Sequence, residues 1–338
     1  NCVLAPLIAK RNKAKVSFPG GCVIGTRPVD LHLKGLTLLG ANIDVAHGFI
    51  IANADTLFGT EIDLYGKFGS SVLATANIIM AASLARGRTV IHGAACEPEV
   101  VDLVCFLKKM GADIIGEGTT VIEIQGKKEL KGAEHRIIPD RIETGTYLTA
   151  GAITQGDLFL QGANANHLGA LISVLNNLGQ EINITKDGIG IKGKKGFKGL
   201  DIETDVYPGF PTDMQAQIMA LLCLADGTSV VSEKIFPDRF MHISELNRMG
   251  ANILFESGKA IIKGVDNFLG TEVMASDLRA SAALVIAGLR AKDTTTISRI
   301  YHLDRGYELL EEKLAGVGAE IKRSYGVTES RCYENMLT

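Results

Sequence analysis

The chain has 338 residues, of which 46% are hydrophobic and 22% charged, and its formal net charge is −3. That length accommodates two domains, and the charge balance argues against a strongly basic nucleic-acid or membrane-surface binder. No apolar run is long enough to cross a bilayer, and the six cysteines form no CxxC pair or His-rich cluster, so neither a zinc site nor a disulfide framework is indicated.

Residues 1–10, NCVLAPLIAK, start without a methionine and lack the basic lead of a signal peptide. They match the tail of an Ala-rich helix. Residues 18–32, FPGGCVIGTRPVDLH, hold three glycines, two prolines, one arginine and Cys22. Such punctuation reads as an ordered surface loop rather than a core element. A lone cysteine is usually buried or incidental; its place at the tip of this loop sets a reactive thiol beside that reading.

Self-comparison then organises the rest. Five segments end alike, at Leu39-Gly-Ala, Met110-Gly-Ala, Leu178-Gly-Gln, Met249-Gly-Ala and Val317-Gly-Ala. Their glycines, 40, 111, 179, 250 and 318, recur at steps of 71, 68, 71 and 68. Each closes an amphipathic run, as in residues 101–110, and sits where a helix C-terminal glycine belongs. A second kind of helix recurs between them, at residues 71–85, 212–222 and 276–286. It is Ala-rich and apolar nearly all round, so it is expected inside. Thr212 and Gln215 have the spacing of a capping box. Strands are expected at Thr89–Ile91, Asp157–Leu160, Thr228–Val231, Ala260–Lys263 and Thr294–Ile297.

The fold class is therefore α/β, with repeated strand–helix–strands–helix units wrapped around buried helices. The repeat implies a chain that begins part-way through a copy. A lobe boundary is expected near residue 138, giving lobes at 1–137 and 138–324 and an aperiodic tail at 325–338.

Arginines recur at one place in the unit. Arg27 and Arg305 each lie 13 residues before a repeat glycine, and Arg239 lies 11 before one. Arg279 opens an inner helix. One arginine is ordinarily a solvated charge; four at equivalent turns suggest a cleft that grips a substrate with more than one anionic group. Helix N-termini nearby would add to that preference. Asp213, also at an inner-helix start, is either a first-turn residue complementing the dipole or a general base. Asp140, Asp238 and Asp304 directly precede arginines and are expected to orient them. His32, His242 and His302 read as structural. No phosphate-binding Gly-rich loop or dinucleotide fingerprint occurs, so no organic cofactor or metal is implied.

These segments resemble the enolpyruvyl transferases, and most closely the UDP-N-acetylglucosamine 1-carboxyvinyltransferase family. The likeness is carried by residues 19–32, 139–146, 210–217, 239–242, 277–281 and 299–308 and runs to about residue 323. It implies a two-lobed inside-out α/β barrel of repeated βαβαββ units, the EPSP synthase-like fold, with its first unit incomplete here. It implies transfer of an enolpyruvyl group from phosphoenolpyruvate to the 3-hydroxyl of UDP-N-acetylglucosamine, the first committed step of peptidoglycan synthesis. By this resemblance Cys22 is the general acid and the thiol that fosfomycin alkylates, Asp213 takes the hydroxyl proton, and Arg305 joins the catalytic set. Arg27, Pro28, Val29, Asp30 and Leu31 would line the uridine side with Ser71 and Val72. Ile235 would touch the nucleotide sugar. Arg239, Asp277 and Arg279 complete the substrate-binding set. The expected partners are those two small molecules, without nucleic acid or membrane, in a bacterial cytoplasm.

The family's early Lys-Asn pair and a nearby arginine would precede residue 1, and Leu73 stands where the family has glycine. Two other readings follow: an impaired fragment or paralogue that binds UDP-sugar without turnover, and the shikimate-pathway transferase, which lacks such a cysteine loop.

Overall fold

The structure, a computed structural model, describes residues 2–19 and 29–324. Among these described residues, ten α-helices fall into two alternating classes. The inner helices are α1 (Leu4–Arg11), α3 (Val72–Ala82), α5 (Arg141–Thr154), α7 (Gln215–Leu222) and α9 (Leu278–Arg290). The outer helices are α2 (Asp30–Leu38), α4 (Pro98–Lys109), α6 (Gly169–Asn177), α8 (His242–Arg248) and α10 (Leu310–Gly316). Every residue of α7 is buried, as expected of a helix with no polar face. An outer helix such as α4 buries only a stripe, including Val100, Val104 and Leu107.

The repeat glycines end the outer helices. Gly40, Gly111, Gly179, Gly250 and Gly318 all have left-handed backbones, with φ between 70° and 101°. Each makes the same pair of capping bonds. After α2 the Gly40 amide donates to Thr37 and the Ala41 amide to Leu36; after α10 the Gly318 amide donates to Ala315 and the Ala319 amide to Leu314. This Schellman arrangement satisfies carbonyls that a helix end leaves open.

Each outer helix but α10 leads into a sheet of one pattern. The strand before the helix lies at one side, the second strand after it sits in the middle, and the first strand after it lies at the far side. The middle strands are Phe49–Asn53, Val121–Gln125, Gly188–Lys192 and Lys259–Lys263, antiparallel to both neighbours. Alternate residues of these strands face the inner helices. A second recurring glycine follows three of the middle strands: Gly126, Gly193 and Gly264 press against inner-helix ends, where a Cβ would strike the carbonyl oxygens of Ala85, Gly151 and Ala225. The sequence reading missed this one.

Two apolar cores form, one from residues between Leu4 and Ile124 and one between Ile142 and Leu314. In the second, α5, α7 and α9 pack on one another; in the first, α3 packs on α1 and α2. Residues 126–140 carry no helix or strand and run along α4, where His135 Nε2 meets Asp102 Oδ1 at 2.9 Å. The cores meet where Arg141 Nε donates to Glu99 (2.8 Å) and its guanidinium covers the Tyr207 ring. They meet again at Gly69, where a Cβ would lie 2.8 Å from Val206.

Several local expectations are corrected. The Phe18–His32 stretch is not loop to its end, because α2 begins at Asp30 and buries His32. Thr212 and Gln215 form no capping box: Thr212–Met214 is a 3-10 turn, and both side chains bond to other elements. Asp140 caps α5 by accepting from the Ile142 and Glu143 amides rather than holding Arg141. Asp304 pairs with Arg323, not Arg305. Asp238 does not hold Arg239, whose carboxylate partner is Asp213.

Candidate active site

Inner helices α7 and α9 bring their N-terminal ends together. Asp213 stands in the 3-10 turn that feeds α7, behind Pro211, whose fixed φ suits the start of a helical turn. Arg279 is the second residue of α9. Asp277 caps that helix, its Oδ1 accepting from the Arg279 and Ala280 amides at 3.0 and 3.1 Å. The cap sets where α9 starts and hence where Arg279 points. Arg239 arrives from the turn before α8.

The carboxylate of Asp213 bridges the two arginines. Arg239 Nη1 donates to Oδ1 at 2.7 Å and Arg279 Nη2 to Oδ2 at 3.0 Å. The arginine side chains are 8% and 11% exposed, while that of Asp213 is 39% exposed, so the acid is the open face of the cluster. Burial alone would raise the Asp213 carboxyl, but the guanidinium charges of Arg239 and Arg279 and their hydrogen bonds outweigh it and pull it down to about 2. Burial likewise opposes the charge on Arg279, and Asp213 and Tyr307 reverse that, raising its pKa.

Each arginine is anchored behind the carboxylate. Arg279 Nη1 donates to the Tyr307 hydroxyl at 3.1 Å and its guanidinium stacks on that ring. Thr146 on α5 spends its hydroxyl proton on the Ile142 carbonyl, so its 2.8 Å contact with Tyr307 has Tyr307 as donor. Gln217 on α7 donates to the Asp213 carbonyl and to Thr146. Arg239 Nη1 also donates to the Thr212 hydroxyl at 3.0 Å, its guanidinium lies over the Phe236 ring, and its carbonyl accepts from Gln215. Arg279 Nε is buried and has no hydrogen-bond partner among the described residues.

Of the residues singled out in sequence, Asp213, Arg239 and Arg279 meet directly, and Asp277 acts one step behind them. Ile235 is half-buried in a turn whose amides are tied to Glu233. Arg305 ends the 3-10 segment Ile300–Arg305, is exposed, and its side chain makes no hydrogen bond or ion pair among the described residues. In the other half of the chain Val29 is buried, Asp30 and Leu31 open α2, Ser71 caps α3 and Val72 begins it. The two helices are tied by a 2.7 Å contact between Asn77 Nδ2 and His32 Nδ1. Leu73, the second residue of α3, is exposed. Cys22, Arg27 and Pro28 lie outside the described residues.

Sequence reasoning missed Tyr307, Thr146, Thr212 and Glu233 as parts of the cluster. Gln217 carried a signal, being with Gln215 one of two polar residues in a helix otherwise apolar. Among the described residues no group of three His, Cys, Asp or Glu side chains could hold a metal ion, and no helix is long and apolar enough to cross a membrane.

Repeated α/β units around buried helices, with arginines and a carboxylate at the helix starts, define an enolpyruvyl transferase of the EPSP synthase class. The family model described as EPSP synthase (3-phosphoshikimate 1-carboxyvinyltransferase) matches residues 2–314. Among solved structures, the enolpyruvyl transferase NikO from Streptomyces tendae superposes with a TM-score of 0.84 at 25% identity, over 95% of this chain and 76% of that one. EPSP synthase from Acinetobacter baumannii, at 21% identity and a TM-score of 0.71 over 96% of this chain and 78% of that one, shares the fold.

Curated relatives narrow the class. The UDP-N-acetylglucosamine 1-carboxyvinyltransferase of Methylacidiphilum infernorum is 53% identical over 324 residues, 96% of this chain and 77% of that protein. An enzyme of the same name from Caldanaerobacter subterraneus is 54% identical over 321 residues, 95% of this chain and 77% of its own length. The chain belongs to the UDP-N-acetylglucosamine 1-carboxyvinyltransferase family.

Proposed function

We propose that the chain transfers the enolpyruvyl group of phosphoenolpyruvate to the 3-hydroxyl of UDP-N-acetylglucosamine, between lobes at residues 1–137 and 138–324. The observation that carries the site assignment is the ionised Asp213 carboxylate, just before α7, shared by two buried arginines, Arg239 in the turn before α8 and Arg279 at the start of α9. In this reaction the sugar oxygen bonds to C2 of the enolpyruvyl group and the bond from C2 to the phosphate oxygen breaks. The methylene carbon gains a proton on the way and returns one when the double bond re-forms. Cys22 supplies the first proton, Asp213 accepts the hydroxyl proton, and Arg27, Arg239, Arg279 and Arg305 hold the phosphate and carboxylate. Val29, Asp30, Leu31, Ser71, Val72 and Ile235 face the nucleotide sugar. Both reactants are cytosolic metabolites, which puts the reaction in the cytoplasm.

A carboxyl with a pKa of about 2 is a poor base. Its low basicity comes from the two arginines, and these are the groups an incoming phosphate or carboxylate engages. Substrate anions that draw the guanidinium donors toward themselves leave Asp213 less stabilised and more basic. Binding of the anionic substrate thereby readies the base for the sugar hydroxyl.

The test is phosphate release from phosphoenolpyruvate, with and without UDP-N-acetylglucosamine. Release should require the sugar nucleotide, and Asp213→Asn should lower kcat by about a hundredfold or more. Fosfomycin should add its mass at Cys22 in the parent and not in Cys22→Ser. Sugar-nucleotide binding without phosphate release would favour the binding-only reading, and neither binding nor release would overturn the proposal.

A further inference from the structure

Glu233 is a buried carboxylate with no arginine or lysine bonded to it among the described residues. It is 6% exposed. Its two oxygens divide the work. Oε1 accepts from the Thr204 hydroxyl at 2.8 Å and from the Ile235 and Phe236 amides at 2.8 and 3.0 Å. Oε2 accepts from the Thr212 hydroxyl at 2.9 Å. Burying a carboxylate is costly unless donors surround it, and four do.

We infer that Glu233 is a positioning residue for the enolpyruvyl transfer, fixing Arg239 through Thr212 and through the turn that carries Ile235 and Phe236. This inference rests on the proposed function for its purpose and on geometry for its content. A threonine hydroxyl has one proton. An ionised carboxylate can only accept, so Glu233 claims that proton and turns the Thr212 lone pairs toward Arg239 Nη1, 3.0 Å away. From Nη1 the chain continues to Asp213 at 2.7 Å. The order Arg239, Thr212, Glu233 is thus a one-way relay of donors ending on a buried charge. The second route is steric. Oε1 holds the Phe236 amide, and the Phe236 ring lies under the Arg239 guanidinium at 5.7 Å. One side chain therefore sets the arginine from its edge and from its face, and also shapes the turn that presents Ile235.

Glu233→Gln separates the two routes. The three donors at Oε1 keep the amide oxygen there, so its NH2 takes the place of Oε2. Thr212 then has donors on both sides and no acceptor for its own proton. Thr212→Val cuts the same link and leaves the three donors at Oε1; Thr212→Ser restores it. The readout is arginine side-chain 15N NMR near neutral pH, with the Arg239 guanidinium signal identified by its loss in Arg239→Lys. In the parent and Thr212→Ser that guanidinium should exchange slowly. In Glu233→Gln and Thr212→Val its rotation and exchange should speed up about tenfold, and affinity for UDP-N-acetylglucosamine should weaken by about tenfold, the worth of one hydrogen bond to a charged group. If Glu233→Gln fails to fold, Thr212→Val decides alone. A folded variant with an unchanged Arg239 signal overturns the inference. A parent that shows the slow signal but binds no sugar nucleotide sinks the proposed function and leaves the positioning result standing.

Discussion

Replacing Asp213 with asparagine removes the one carboxylate shared by Arg239 and Arg279 while keeping its shape. The bonds lost are charge-assisted, at 2.7 and 3.0 Å, and both arginines remain almost wholly buried. The carboxyl titrates at about 2 in the fold against 3.8 for a free aspartate. At about 1.4 kcal/mol per pH unit this is about 2.4 kcal/mol, which the 39% exposure of Asp213 reduces through solvent screening to about 1–2 kcal/mol. The sign follows from the lowered pKa. The stabilisation is whole above the unfolded value of 3.8 and drains away as the pH falls through about 2. Urea unfolding near neutral pH should therefore show Asp213→Asn with a lower midpoint and an unchanged slope. The gap between variant and parent should narrow below about pH 4. A variant as stable as the parent near neutral pH would refute the reasoning, because it would mean that two buried guanidinium groups lose nothing when their carboxylate is neutralised.

Four further outcomes are expected. His32 and His242 are both buried, and burial lowers each to about 4 from 6.5. Their stabilising contribution is whole above 6.5 and is lost between there and about 4, amounting to about 2 kcal/mol each by about pH 5; the urea midpoint should track that fall, less steeply in His242→Leu. Tyr307→Phe removes the acceptor of Arg279 Nη1 and the donor to Thr146, and should cost about 1–3 kcal/mol in thermal or urea unfolding along with a fall in kcat. Gly111→Ala meets no atom of the described residues within 4 Å, so its cost is that of the left-handed backbone at φ 101°, about 1–2 kcal/mol. Gly126→Ala should cost more, since its Cβ would collide with the Ala85 carbonyl.

What could be read in the chain is what repeats or is local. Gly40, Gly111, Gly179, Gly250 and Gly318 announce five helix ends, because a left-handed C-terminal residue and the apolar stripe before it are both written within a few positions. The Ala-rich stretches announce buried helices for the same reason. Arg239, Arg279 and Asp213 could be suspected from their equivalent places in the unit. Local spacing also misled: Thr212 and Gln215 have the pattern of a cap, yet tertiary partners in Glu233 and Arg239 outweigh the single bond a cap would provide. Adjacency pairs each aspartate with the arginine that follows it, but neighbouring residues in a turn point different ways, and Asp304 pairs with Arg323 instead.

Sequence alone determined the α/β repeat, the two classes of helix and the family, since these depend on periodicity and on motifs contiguous in the chain. Only the tertiary structure decided which carboxylate holds which arginine. Asp213 and Arg279 are 66 positions apart, and Thr146 and Tyr307 are 161 apart. Their meeting depends on α5, α7 and α9 packing with their starts together, and that geometry comes from filling one core rather than from any segment by itself.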